Sequence, residues 1–326
     1  MKTLMENICA ILIIIILLPY VFTVLFQGNQ LESGQLQQES AAVAKQDRQE
    51  RWILRNVDDT EERLSIEEYV IGVVAAGMPV AYEKETLKAQ AVIARTHIML
   101  NMGEKDAVNE EELNQKYMSV GDMQAAWGYQ TFTENYKKLE EAVKATEGQV
   151  ILYQDKLIYP PFHAVSAGRT KNGNEIAGKQ IYPYLLSVDS GMDLQSEDYL
   201  KILYCERSSF VQKLRLYGEE ITFTNENVTE EIEIRCDEDS DYVKSVYFKN
   251  GQYTMTGEQF RDLFELNSTC FSIEDYEGNI RIVTKGLGHG IGFSEYGANQ
   301  MAKQGSTYET LLSHYYSGTK IGNIYE

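Results

Sequence analysis

Positive charge is what this chain is short of. Thirty Lys and Arg stand against 49 Asp and Glu among 326 residues, a formal net charge of -19. A surface of that sign repels polyanions, which argues against DNA, RNA or teichoic acid as partners. Cysteine is scarce too, with four in the chain. Cys9 falls in an apolar segment, leaving Cys205, Cys236 and Cys270; an odd number cannot all pair within one chain, and whether two of them do is left open. None is spaced C-x-x-C or C-x-x-H, so a structural zinc site has no support. No internal repeat is present. A nucleophile elbow is missing as well: residues 292–297, GFSEYG, space the second glycine wrongly for a serine hydrolase built from Ser294 or Ser166 with His289 or His163.

What is abundant is tyrosine, 22 residues. Its ring and hydroxyl together suit a neutral sugar polymer, although most tyrosines serve simply at the edge of a core. Residues 8–26 are apolar and uncharged, about long enough at roughly 1.5 Å per residue to cross most of a bilayer's hydrocarbon layer. With no A-x-A site after it, the segment reads as an uncleaved anchor rather than a signal peptide. Lys2 on the short side places the remainder outside the cell. The expected division is therefore 1–28, cytoplasmic tip and transmembrane anchor; 29–61, a flexible stalk rich in Gln, Glu, Ser and Ala; and 62–326, one extracytoplasmic domain. The chain is read as a single-pass cell membrane protein.

Within that domain, Ser65 and Glu68 form a capping-box signature ahead of Ile66, Tyr69, Val70 and Val73 on one helical face. A second helix is expected over 84–100, where Leu87, Ala91, Ala94 and Ile98 share a face, and others over 134–146, 257–266 and 299–316. Strands are expected over 149–153 and 156–159, joined at Gln154-Asp155, and over 219–235, 242–248 and 281–284. The class is mixed α+β, with helices and strands mostly segregated.

Two segments are more specific than any short motif. One is 65–79, SIEEYVIGVVAAGMP, continued by 87–96, LKAQAVIART; the other is 288–298, GHGIGFSEYGA, followed by 314–319, HYYSGT. With 162–170, FHAVSAGRT, 182–185, YPYL, and 257–261, GEQFR, they resemble stage II sporulation protein D and its amidase-enhancer relatives over nearly everything after the stalk. The resemblance implies a membrane-anchored lytic transglycosylase acting on peptidoglycan glycan strands stripped of stem peptides. It also implies collaboration with a sporulation amidase and an integral-membrane scaffold at the engulfing septum. It places glycan-facing residues at His163 and Ser166; His289 is expected to bond a sugar or to orient Glu295, and Ser294 and Tyr296 are further candidate substrate contacts. Some relatives bind zinc through Cys and His near the segment of His163; no Cys lies there in this chain, so neither metal nor cofactor is expected.

Lytic cleavage needs one carboxyl group, where hydrolytic glycosidases use two. In the family that acid directly precedes Met-Pro; here the position is Gly77. In the second segment the family's Ser-Gln-Tyr is replaced by Ser294-Glu295-Tyr296. One carboxyl has gone and another has arrived. Either Glu295 has taken over as general acid/base, or the site is dead and the protein is a glycan-binding scaffold or amidase enhancer. Glu83 and Glu85 are weaker substitutes, since acidic residues there suit the first turn of a helix.

Overall fold

The computed structural model describes residues 51–325 apart from 58–59, 174–181, 219–222, 224–227, 238 and 249–252. The expected anchor and most of the expected stalk lie outside the described residues. Among the described residues no helix is long and apolar enough to cross a membrane.

Folded chain begins earlier than the expected boundary at 62. Trp52–Val57 (β1) pairs antiparallel with Thr60–Ser65 (β2) and parallel with Ala107–Asn109 (β3). Ile53 is completely buried, and Arg55 lies 4.1 Å from the centre of the Tyr117 ring while bonding Glu110. Trp52, Ile53 and Leu54 are consecutive rather than alternating, and β2 is mostly charged, so no strand period shows and these residues read as stalk.

Ile66–Gly77 (α1) starts at the full Ser65–Glu68 capping box. Its sequence is apolar nearly all round because eight of its residues are buried. Lys84–Met102 (α2) packs across it, and Glu110–Leu113 (α3), Val120–Trp127 (α4) and Tyr129–Ala145 (α5) complete the helical layer. Gln149–Tyr153 (β4) and Lys156–Leu157 (β5) form the expected hairpin. Positive φ at Gln154 and Asp155, 50° and 62°, provides the backbone twist that a two-residue hairpin turn requires.

Phe162–His163 (β6) then leads toward Leu200–Glu206 (β7), Arg207–Tyr217 (α6), Ile232–Cys236 (β8), Val243–Phe248 (β9), Tyr253–Thr256 (β10), Gly257–Phe264 (α7), Cys270–Tyr276 (β11) and Asn279–Lys285 (β12). Two three-stranded antiparallel sheets, ordered β10-β9-β8 and β11-β12-β7, enclose a second apolar cluster. Phe210, Phe260, Phe264 and Phe271 stack at its centre. The chain then returns through Phe293–Ser294 (β13), Glu295–Lys303 (α8), Tyr308–Tyr315 (α9) and Lys320–Asn323 (β14), which pairs with β4. The architecture is mixed α+β, as expected. β7, α6 and β11 carry no clean period and were not foreseen.

The first core is organised around a charge. Arg95 on α2 is completely buried and forks onto Glu67 of α1 through Nε and Nη2, while its Nη1 donates to the Gln149 carbonyl at 3.0 Å. Glu67 also accepts from the Gly148 backbone. One guanidinium thereby ties both signature helices to the start of β4. Removing it leaves a partly desolvated carboxylate and an orphaned carbonyl. Arg95→Leu should lower the unfolding free energy in urea by about 3 kcal/mol. Glu67→Gln should cost no less, because it leaves the completely buried Arg95 guanidinium without its counter-charge; an unchanged Arg95→Leu midpoint would contradict this role.

Candidate functional site

Two extended segments run side by side beneath the site. β6 and β13 pair in parallel, Phe162 opposite Phe293 and His163 opposite Ser294. Isolated bridges join Val165 to Leu287 and Lys171 to Ile291. Backbone this close admits no side chain at certain points. Gly292 has φ +72°, and a Cβ there would sit 2.1 Å from the Pro161 carbonyl; one at Gly297 would sit 2.4 Å from Ser190 Oγ. The glycines of the second motif are thus explained by packing.

The anchor of this arrangement is Asp193, in the short 3-10 helix Gly191–Gln195 and completely buried. Its carboxylate accepts from the Ser166 backbone at 3.1 Å and from the hydroxyls of Ser166 at 2.6 Å, Ser190 at 2.7 Å and Ser294 at 2.8 Å. Tyr315 Oη lies 2.9 Å from Ser190 Oγ; since that hydroxyl donates to Asp193, Tyr315 is the donor of the pair. Burial pushes the Asp193 carboxyl above the ordinary range, and the three serines pull the other way. Ser166 and Ser294 were expected to face glycan. Both are instead completely buried with their hydroxyls spent on Asp193, which is a correction to their expected role. That arrangement also leaves neither serine paired with His163 or His289 as a hydrolase would need.

Glu295 opens α8 directly after Ser294. Its neighbours on both sides are fixed, Ser294 by Asp193 and Tyr296 by its backbone N–H to the Ala164 carbonyl at 3.0 Å. One turn on, Asn299 Oδ1 accepts from the Glu83 backbone at 2.7 Å, capping α2 from another helix because Glu83 offers no cap of its own. Glu295 therefore faces the loop that joins the two signature helices. It lines a cleft of about 450 Å³ with Pro79, Tyr82, Gln195, Ser196, Asp198 and Tyr296. Lys138 of α5 holds the loop by donating to the Val80 and Tyr82 carbonyls at 2.8 and 2.6 Å.

The carboxyl of Glu295 is 5 % exposed by residue and meets no ion-pair partner among the described residues. Burial pushes it up to about 8, with Lys116 pulling weakly the other way. Tyr82 beside it is pushed up to about 12, first by burial and then by Glu295. At neutral pH the cleft presents a protonated carboxylic acid.

At the empty family position, Gly77 ends α1. A Cβ there would meet only Gln90 Nε2 at 3.5 Å and Phe162 at 3.9 Å, ordinary contact distances. Glu85, a weaker alternative, is committed elsewhere: it accepts from the Tyr308 backbone at 2.9 Å, capping α9, and pairs with Lys88 at 2.6 Å. Glu83 is exposed.

The histidines form a pair, His163 and His289, with ring centres 5.7 Å apart. His163 is buried, with Nδ1 3.1 Å from the Ile291 carbonyl; burial, with His289 next, holds it down to about 3. It is neutral at any working pH. His289 accepts the Ile291 N–H through Nδ1 at 3.1 Å and is likewise lowered by burial. Neither ring bonds Glu295. Among the sequence-derived residues, only Tyr296 shares the cleft lining with Glu295. Asp193, Asn299 and Tyr82 were missed. Among the described residues no group of three or more His, Cys, Asp or Glu is placed to hold a metal, and Cys205, Cys236 and Cys270 form no disulfide.

The raised Glu295 carboxyl has a measurable consequence. The fold penalises its ionised form, so its contribution to stability is complete below the ordinary value of 4.5 and is lost as pH rises toward about 8. Glu295→Gln removes that loss. The variant should melt with wild type near about pH 4 and several degrees above it near about pH 8.5. A pH-independent difference between the two melting curves would mean the carboxyl is not desolvated.

The chain is similar to known proteins over most of its length. Residues 56–153 match the family model described as "Stage II sporulation protein". A stage II sporulation protein D from Bacillus amyloliquefaciens is 34 % identical over 277 residues, covering 82 % of this chain and 77 % of that protein. One from Bacillus subtilis (strain 168) is 31 % identical over 331 residues, covering 94 % and 92 %. The amidase enhancer of the same strain is 25 % identical and aligns with 77 % of this chain but 40 % of itself. On this likeness, with the loop after the first signature helix and the start of α8 meeting at one cleft, the chain belongs to the stage II sporulation protein D family of sporulation proteins.

Proposed function

We propose that the cleft binds glycan strands of peptidoglycan and cleaves the MurNAc-GlcNAc bond lytically, with Glu295 as sole acid and base. The supporting observation is the side chain itself: a carboxyl without an ion-pair partner among the described residues, lining a cleft and raised to about 8 by burial. Protonated at neutral pH, Glu295 donates its proton to the bridging oxygen as the C1–O bond breaks. The resulting carboxylate takes the proton of the sugar's C6 hydroxyl as that oxygen bonds to C1, closing a 1,6-anhydro ring. No water, enzymic nucleophile or second carboxylate enters. Tyr82 and Tyr296, half-buried on the cleft wall, offer ring faces to sugar.

By family resemblance the protein acts from the outer face of the membrane at the engulfing septum, alongside a sporulation amidase and an integral-membrane scaffold. A second reading rests on Gly77: with the family acid absent, the same cleft serves a non-cutting glycan-binding scaffold or amidase enhancer. Mass spectrometry of denuded glycan incubated with the protein separates the two. Wild type should generate anhydro-sugar ends, Glu295→Gln should lower their rate at least about 100-fold, and the wild-type rate should fall as pH rises through about 8. Glycan bound by wild type without anhydro ends would select the scaffold.

A further inference from the structure

The cleft carries two charges that the proposed chemistry does not use. Glu197 and Asp198 are adjacent, exposed and both among its lining residues, and no Lys or Arg lines it. The turn that presents them is held at both ends. The Ser196 N–H donates to the Asp193 carbonyl at 3.0 Å, the Asp198 N–H to Ser196 Oγ at 3.2 Å and the Tyr199 N–H to the Ser196 carbonyl at 3.1 Å. Just beyond, the Gly286 N–H donates to the Tyr199 carbonyl at 2.7 Å. The turn thus hangs on Asp193 at one end and on the residue after β12 at the other. Among the described residues neither acidic side chain meets an ion-pair or hydrogen-bond partner. Lys138 is spent on the Val80 and Tyr82 carbonyls, and Lys116 does not line the cleft. The same lining holds Glu295, 5 % exposed and likewise without an ion-pair partner. With that carboxyl protonated, the charge of the lining at neutral pH rests on Glu197 and Asp198. A ligand that brings an ammonium supplies the counter-charge that the fold leaves out.

We propose that the cleft selects glycan bearing a free amine, a 2-amino-2-deoxyhexose rather than its N-acetylated form, with Glu197 and Asp198 accepting hydrogen bonds from the ammonium. The inference rests on the glycan-binding reading of the cleft and adds which sugar is favoured. A diamino residue of an uncross-linked stem peptide carries an amine too. Its accompanying carboxylates are repelled by the same wall, which favours the sugar, and the test separates the two sources.

Binding of the full-length protein is measured in nonionic detergent on three probes: denuded N-acetylated strands, the same strands after chemical N-deacetylation, and N-acetylated strands that keep their stem peptides. At about 20 mM salt wild type should prefer deacetylated over acetylated denuded strands by about fivefold, and at about 0.5 M that preference should vanish. Because the chain carries a net charge of -19, its overall field alone favours a more cationic strand, and a charge-matched control separates the two effects. The double variant Glu197→Gln, Asp198→Asn should lose the preference at low salt while melting with wild type. Glu104→Gln with Glu277→Gln removes the same charge from exposed positions outside the cleft lining and should keep it. Equal loss in both double variants, or no wild-type preference at low salt, overturns the amine selection and leaves glycan binding intact. A wild-type preference for peptide-bearing over denuded acetylated strands, absent from the cleft variant, assigns the amine to the peptide and overturns the sugar. Failure of wild type to bind any of the three probes overturns the glycan reading and this selection with it.

Discussion

A fully buried carboxylate outside the cleft lining decides where another one points. Asp193 gathers three serine hydroxyls and a backbone N–H from donors lying up to 101 positions from it in sequence. A desolvated charge is tolerable only with that many donors. Once the donors are in place, β6, the 3-10 helix and the start of α8 cannot shift independently. Glu295 follows Ser294 by one residue, so its direction is set by a network it does not join. This is the arrangement a catalytic acid requires: rigid support from behind and a poorly solvated front.

The two helices of the other motif complete the frame by a different kind of bond. Arg95 and Glu67 lock α1 to α2 from inside the core, and Asn299 ties the start of α2 to α8. Lys138 pins the loop between them. The cleft is thus bounded by elements from both signature segments, each held by charge-assisted or capping hydrogen bonds. The aromatic cluster around Phe260 is built from other elements and contributes no residue to the cleft lining.

How much of this could be read without coordinates follows from what each residue type reveals about itself. The α1 cap, the apolar α1 and the β4–β5 hairpin were legible, because capping boxes and apolar periods are local. Glu295 was legible as a carboxyl standing where the family's motif has an amide. Ser166 and Ser294 were misread, since a serine in a motif looks the same whether its hydroxyl meets a sugar or a buried aspartate. Asp193 lies in the segment SVDSGMDLQ, residues 187–195, without period or motif; only the folded chain brings its donors to it. Asn299 escaped for the same reason, its partner at Glu83 lying 216 positions away.

The account stands on the protonation state of one side chain. Isotope-edited infrared spectra of the protein at neutral pH, with side-chain carboxyls labelled and Glu295→Gln as the reference, read that state directly. A protonated carboxylic-acid C=O band that is absent from the variant and disappears from wild type as pH passes about 8 is the predicted result. A difference spectrum at neutral pH showing only ionised carboxylate, titrating near the ordinary 4.5, would contradict it.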